Sequence, residues 1–121
     1  MNYNTKKEIE KYFIDNWTIC PVTFDGEEFK TSNKWITVKY IPLGRTASTC
    51  QRVSTNSQLQ VFCYDISPTL VIKLMDEVNQ FFDCKQLVYS YSGIGSSLVG
   101  VQNLDNNVFE QNTIFDINTL I

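Results

Sequence analysis

The stretch from Leu59 to Phe82 constrains the fold more than any other. Leu59, Val61 and Cys63 alternate with Gln58, Gln60, Phe62 and Tyr64, the two-residue period of a strand. Asp65-Ile66-Ser67-Pro68 ends it. Ser67 suits a helix N-cap, and Pro68 suits the first helical position, where a missing N–H costs nothing. Leu70, Val71, Leu74, Met75, Val78, Phe81 and Phe82 then share one helical stripe. Lys73, Asp76, Glu77, Asn79, Gln80 and Asp83 take the other side. A strand that turns at once into an amphipathic helix needs a sheet for the helix to cover.

The remaining segments supply that sheet. Thr5-Lys6-Lys7-Glu8 has the form of a capping box, and Ile9, Tyr12, Phe13 and Trp17 continue at helical spacing, which predicts a short helix from about Lys6 to Asn16. Pro21 forbids its extension. Val22-Thr23-Phe24 is a brief extended piece before the turn signal Asp25-Gly26, and Glu27 to Lys34 is a polar connector anchored by Phe29. Trp35 to Ile41 is a strand apolar on both faces, which predicts cover on both sides, and Pro42-Leu43-Gly44 is expected to break it. Arg45 to Asn56 is polar, either a long loop or the far end of a hairpin whose second arm enters near Arg52. Gln86–Tyr91, Leu98–Leu104 and Val108–Leu120 read as strands. Ser92 to Ser96 is a flexible connection, and Asp105-Asn106-Asn107 is a tight turn. The expected fold is α+β: one domain, residues 1–121, with a mainly antiparallel sheet, one main helix on it and a short N-terminal helix.

Composition removes most chemistries. The chain has no histidine, so Ser-His-Asp and Cys-His arrangements are absent. No S-x-x-K occurs. Gly93-Ile94-Gly95 begins like a dinucleotide fingerprint, but Leu98 replaces the third glycine and a strand follows where a helix N-terminus is required. No catalytic residue, cofactor site or metal site is predicted. The four cysteines, Cys20, Cys50, Cys63 and Cys84, lie far apart with no C-x-x-C pair; Cys63 and Cys84 are expected to be buried free thiols. Thirteen acidic residues against ten scattered basic ones give no concentrated cation patch of the kind non-specific nucleic-acid binding depends on, and no sequence-specific nucleic-acid binding is predicted. No apolar run approaches the ~20 residues of a membrane span, and no signal peptide is present, so production in a cytoplasm is expected.

Apolar groups are expected to exceed the needs of one small core. Phe62 and Tyr64 oppose the Val61/Cys63 face, Ile72 lies off the helix stripe, and Ile36, Val38 and Tyr40 oppose Trp35. Arg45 and Arg52, the only arginines, bracket the polar segment, where their forked donors suit a partner's carboxylates. These observations make Arg45, Arg52, Phe62, Tyr64 and Ile72 the candidate subunit or partner contacts.

The order of features resembles a known family. A short helix ending in Asn16-Trp17 and then Pro21-Val22-x-Phe24-Asp25 precede a Trp35-Ile36-x-Val38 strand and a polar segment with arginine. A long apolar strand, an amphipathic helix and a closing Val108-Phe109-Glu110-Gln111-Asn112-Thr113-Ile114 strand complete the chain. This resembles the tail-terminator-like proteins of long-tailed bacteriophages across nearly its whole length. The resemblance implies a structural virion protein, made in the host cytoplasm, that forms a homo-oligomeric, six-membered ring at the head-proximal end of the tail tube. Its implied partners are the tail-tube protein and the head–tail connector, with a lumen through which DNA can pass. Tube growth would stop at the ring, by shape and contact alone. The alternatives are another neck, head–tail joining or tail-tube protein of similar fold, or a non-viral protein-binding module.

Overall fold

The computed structural model describes residues 2–25, 33–48, 51–97, 99–104 and 107–119, with backbone alone at 2, 43–48 and 51–56. The elements are α1 (Asn2–Asn16), β1 (Val22–Phe24), β2 (Trp35–Ser48), β3 (Gln51–Asp65), α2 (Pro68–Phe82), β4 (Ser90–Ser92), β5 (Gln102–Leu104) and β6 (Val108–Thr119). The fold is α+β. Its sheet has the order β1-β2-β3-β6-β4, with β5 also on β6; every pairing is antiparallel except β1 with β2.

Residues Leu59 to Phe82 fold as their pattern requires. Leu59, Val61 and Cys63 are fully buried, while Gln58, Gln60, Phe62 and Tyr64 face the other way and stay half-buried. Ser67 Oγ accepts from the Leu70 backbone N–H at 3.1 Å, and Pro68 opens the helix. Val71, Leu74, Val78 and Phe82 bury the apolar side of α2; Leu70, at the exposed first turn, does not join them. Together with Ile9, Phe13 and Trp17 of the N-terminal segment, they cover Ile36, Val38, Tyr40, Phe115 and Ile117. Phe82 links the two layers, with ring centroids 5.4 Å from Phe13 and 5.2 Å from Phe115. Each such side chain stabilises the fold by roughly 1.5–3 kcal/mol on burial.

Several expectations change. The first helix starts at Asn2, so Thr5 lies inside it on the buried Thr5-Ile9-Phe13 stripe and is no N-cap. Glu8 is no capping-box partner either. Its carboxylate accepts from the Val88 and Tyr89 backbone N–H groups at 3.1 and 2.9 Å, tying α1 to a turn 80 residues away. That turn replaces most of the strand expected over Gln86–Tyr91. The Leu87 N–H bonds back to the Ser90 carbonyl at 2.8 Å, leaving β4 to begin at Ser90.

Pro42-Leu43-Gly44 does not break β2. Between Pro42 and Gly44 the strand takes one extra residue against β3, a bulge, and pairing continues to Ser48. Among the described residues β2 has no second neighbour beyond Val38, an edge position where proline's missing N–H is tolerated. Of the two forms expected for Arg45 to Asn56, the described residues, 45–48 and 51–56, take the far end of a hairpin. The strand expected over Leu98–Leu104 is confined to Gln102–Leu104.

Gly93 to Ser96 is a packed segment and not a flexible connection. The Gly93 N–H bonds Asp116 O, Ser96 exchanges two bonds with Ile114, and the Gly95 N–H donates to Asp83 Oδ1 at 2.7 Å. A Cβ at Gly95 would overlap Asn79 Oδ1 and Thr113 Oγ1 and press on the Phe115 ring. β4, the Ser96 bridge and β5 thus follow β6 as one interrupted edge strand. Asn107, with φ 60°, supplies the left-handed residue of the β5–β6 turn; Asp105 and Asn106 lie outside the described residues, as do Phe29 and most of its connector.

Candidate subunit-contact surface

The sheet has two faces, and among the described residues the helices cover only one. On the other, cross-strand register aligns side chains from β2, β3 and β6. Trp35, Tyr64 and Glu110 form one row; Thr37, Phe62 and Asn112 the next; then Lys39, Gln60 and Ile114; then Ile41, Gln58 and Asp116. Lys39 and Asp116 are exposed and the other members half-buried. The rings of Trp35 and Tyr64 stack at 4.5 Å between centroids and 15° between planes. Burial, and then the Glu110 carboxylate beside it, push the Tyr64 hydroxyl well above the ordinary phenol range, so it stays a neutral donor. This outer face mixes aromatic, aliphatic, amide and charged groups.

The second feature is the end of the β2–β3 hairpin. β6 pairs with β3 as far as Thr55, and β1 leaves β2 at Val38. Beyond them, Thr46–Ser54, Ala47–Arg52 and Ser48–Gln51 pair only with each other among the described residues. Arg52, opposite Ala47, lies within this arm, and Arg45, opposite Thr55, sits at its base.

The predicted contact residues therefore separate into three places. Phe62 and Tyr64 share the outer face, Arg45 and Arg52 the arm, and Ile72 the solvent side of α2, on the opposite side of the sheet from Phe62. Ile72 is 43% exposed beside Ile66 at 52% and Leu70 at 41%. Ile36, Val38 and Tyr40, expected to be surplus to the core, are part of the monomer's own core. Trp35, Glu110 and Ile114 belong to the outer face as well. The alternation along β6 carries the signal for Glu110 and Ile114, whereas their alignment with Tyr64 and Gln60 depends on register.

Cys63 is buried as expected, and desolvation drives its thiol far above the ordinary 9.0. Cys84 is exposed. With φ 53° it takes the left-handed position just past the Asp83 C-cap, which turns it away from the helix stripe. Cys50 lies outside the described residues. Among those described, no group of three Cys, Asp or Glu side chains could hold a metal ion, and no helix is long and apolar enough to cross a membrane.

No protein-family model matches the chain, and no curated protein matches it. A search of solved structures finds a chain of similar fold at 10% sequence identity and a TM-score of 0.61, with 97% of this chain and 91% of that one covered. At that identity the likeness extends to the fold: two helices on one side of a mainly antiparallel sheet, over essentially the whole chain.

Proposed function

We propose that this protein is a structural virion component of the tail-terminator type, a ring-forming subunit at the head-proximal end of a phage tail tube. The observation that carries this reading is the pair of unsatisfied surfaces in one small fold. One sheet face presents Ile41, Phe62, Tyr64 and Ile114 without cover from the described elements, and a hairpin arm runs past the last strand that flanks it. Two dissimilar surfaces on one chain suit head-to-tail association, which closes into a ring when the rotation per subunit allows it. In this reading the ring, six-membered as the family resemblance implies, stops tube growth and offers its other side to the head connector. Shape and contact do the work, and no bond is made or broken.

Loss of the protein from a phage that encodes it is expected to give tails of unregulated length that fail to join heads. Electron microscopy of the lysate checks this. Normal tails of uniform length in its absence would defeat the reading.

A further inference from the structure

Charge is divided unevenly along this chain. From Lys39 to Tyr64 there is no acidic residue, and the bases are Lys39, Arg45 and Arg52. The rest holds seven bases (10 − 3) against all thirteen acids, a balance of −6. The cationic segment is the hairpin, and its two arginines sit toward the end that outruns β1 and β6. Past β1 and β6 the two strands pair only with each other among the described residues, and a two-stranded ribbon on its own is marginal in water, so this arm gains most from a surface to lie on.

The outer face offers a complementary surface at its far end. There Glu110 lies beside Tyr64, and Tyr64 stacks on Trp35. Neither Glu110 nor Asp116 forms an ion pair with a described base; the two salt bridges among described residues, Lys6–Glu10 and Lys11–Asp15, are both on α1. A carboxylate next to a flat aromatic pair matches what a guanidinium binds best, a fork of acceptors and a ring face. The arm cannot reach this corner in its own chain. Thr55, opposite Arg45, and Tyr64 are nine residues apart on β3, ~30 Å at the rise of a strand. The occupant is then another copy.

We propose that the β2–β3 arm of one subunit lies on the outer sheet face of the next, with Arg45 and Arg52 meeting the Trp35–Tyr64–Glu110 corner. This rests on the ring-forming reading above and gives it its two mating surfaces. The contact is heterologous, arm to face, as ring closure demands.

Sedimentation of the full chain from about 10 µM to about 1 mM tests it. The unaltered protein associates with concentration, and added salt weakens the association. Arg45→Glu/Arg52→Glu weakens association by about tenfold or more, as does Glu110→Arg; Glu110→Gln weakens it less. Combining the arginine changes with Glu110→Arg restores it, because the attraction is reversed on both sides. Reversal of Asp76, an exposed residue of α2 on the other side of the sheet, leaves association within about twofold of the unaltered protein. Circular dichroism confirms that each variant is folded. A chain monomeric throughout the range, association indifferent to the arginines, or failure of the combined variant to recover would each overturn the arm-to-face contact. The tail-length experiment decides the ring reading separately, since tails can be terminated through a different contact.

Discussion

The two faces of β3 are built from alternate residues of one strand, yet they have different fates. Leu59, Val61 and Cys63 are completely buried beneath α1 and α2. Phe62 and Tyr64, their immediate neighbours, are half-buried beside Gln58 and Gln60. The inner face is mainly apolar, and its polar groups include hydrogen-bonded pairs such as Tyr40 Oη and Ser57 Oγ at 2.7 Å and Thr113 Oγ1 and Asn79 Oδ1 at 2.6 Å. The outer face alternates rings with amides and charges. The difference shows how a chain of 121 residues divides its apolar side chains. The inner set is committed to folding. The outer set stays half-buried in the monomer and, in the proposed reading, serves association.

The sharpest way to break this contrast is thiol labelling in variants that retain one cysteine. Cys63 is expected to react more slowly than Cys84 by a factor of about a thousand or more, because it must await global opening. Comparable rates would mean that the inner face opens locally. Next in size, Phe115→Ala removes a ring packed on Phe82 and should cost about 3–5 kcal/mol in a denaturant melt. Gly95→Ala forces a methyl group between Asn79 and Thr113 and should cost about 1–3 kcal/mol. A neutral result there would show that the edge segment moves freely. The smallest stability effect is expected on the outer face, where Phe62→Ala should cost about 1 kcal/mol or less while weakening self-association in sedimentation. A loss as large as that of Phe115→Ala would make the outer face a second core and end the comparison.

The core strand and main helix were legible because their signals are local and redundant. Alternation sets the face of Leu59, Val61 and Cys63, Ser67-Pro68 sets the helix start, and a 3.6-residue stripe sets what α2 buries. Less legible were segments whose conformation depends on distant groups. Gln86–Tyr91 alternates like a strand, yet it turns because Glu8 accepts two of its N–H groups. Ser92–Ser96 reads as loose because of its glycines, yet Gly95 is there for close approach to Asn79 and Thr113. Thr5 resembles a cap, but the helix begins a turn earlier and buries it.

The candidate contact surface follows the same division. Arg45, Arg52, Phe62, Tyr64 and Ile72 could each be chosen from residue type and pattern, but not their grouping. Ile72 falls on the far side of the sheet from Phe62, and Tyr64 meets Trp35 and Glu110 through pairings with residues 29 and 46 positions away. Sequence by itself determined the α+β class, the strand-to-helix unit at Leu59–Phe82 and which side chains of β3 share a face, because backbone periodicity converts spacing directly into direction. Tertiary structure alone decided the strand order, the continuation of β2 through Pro42 as a bulge, the arm beyond the sheet and the Trp35–Tyr64–Glu110 corner. These depend on register, on edge position and on which face the helices cover, and no local pattern encodes them.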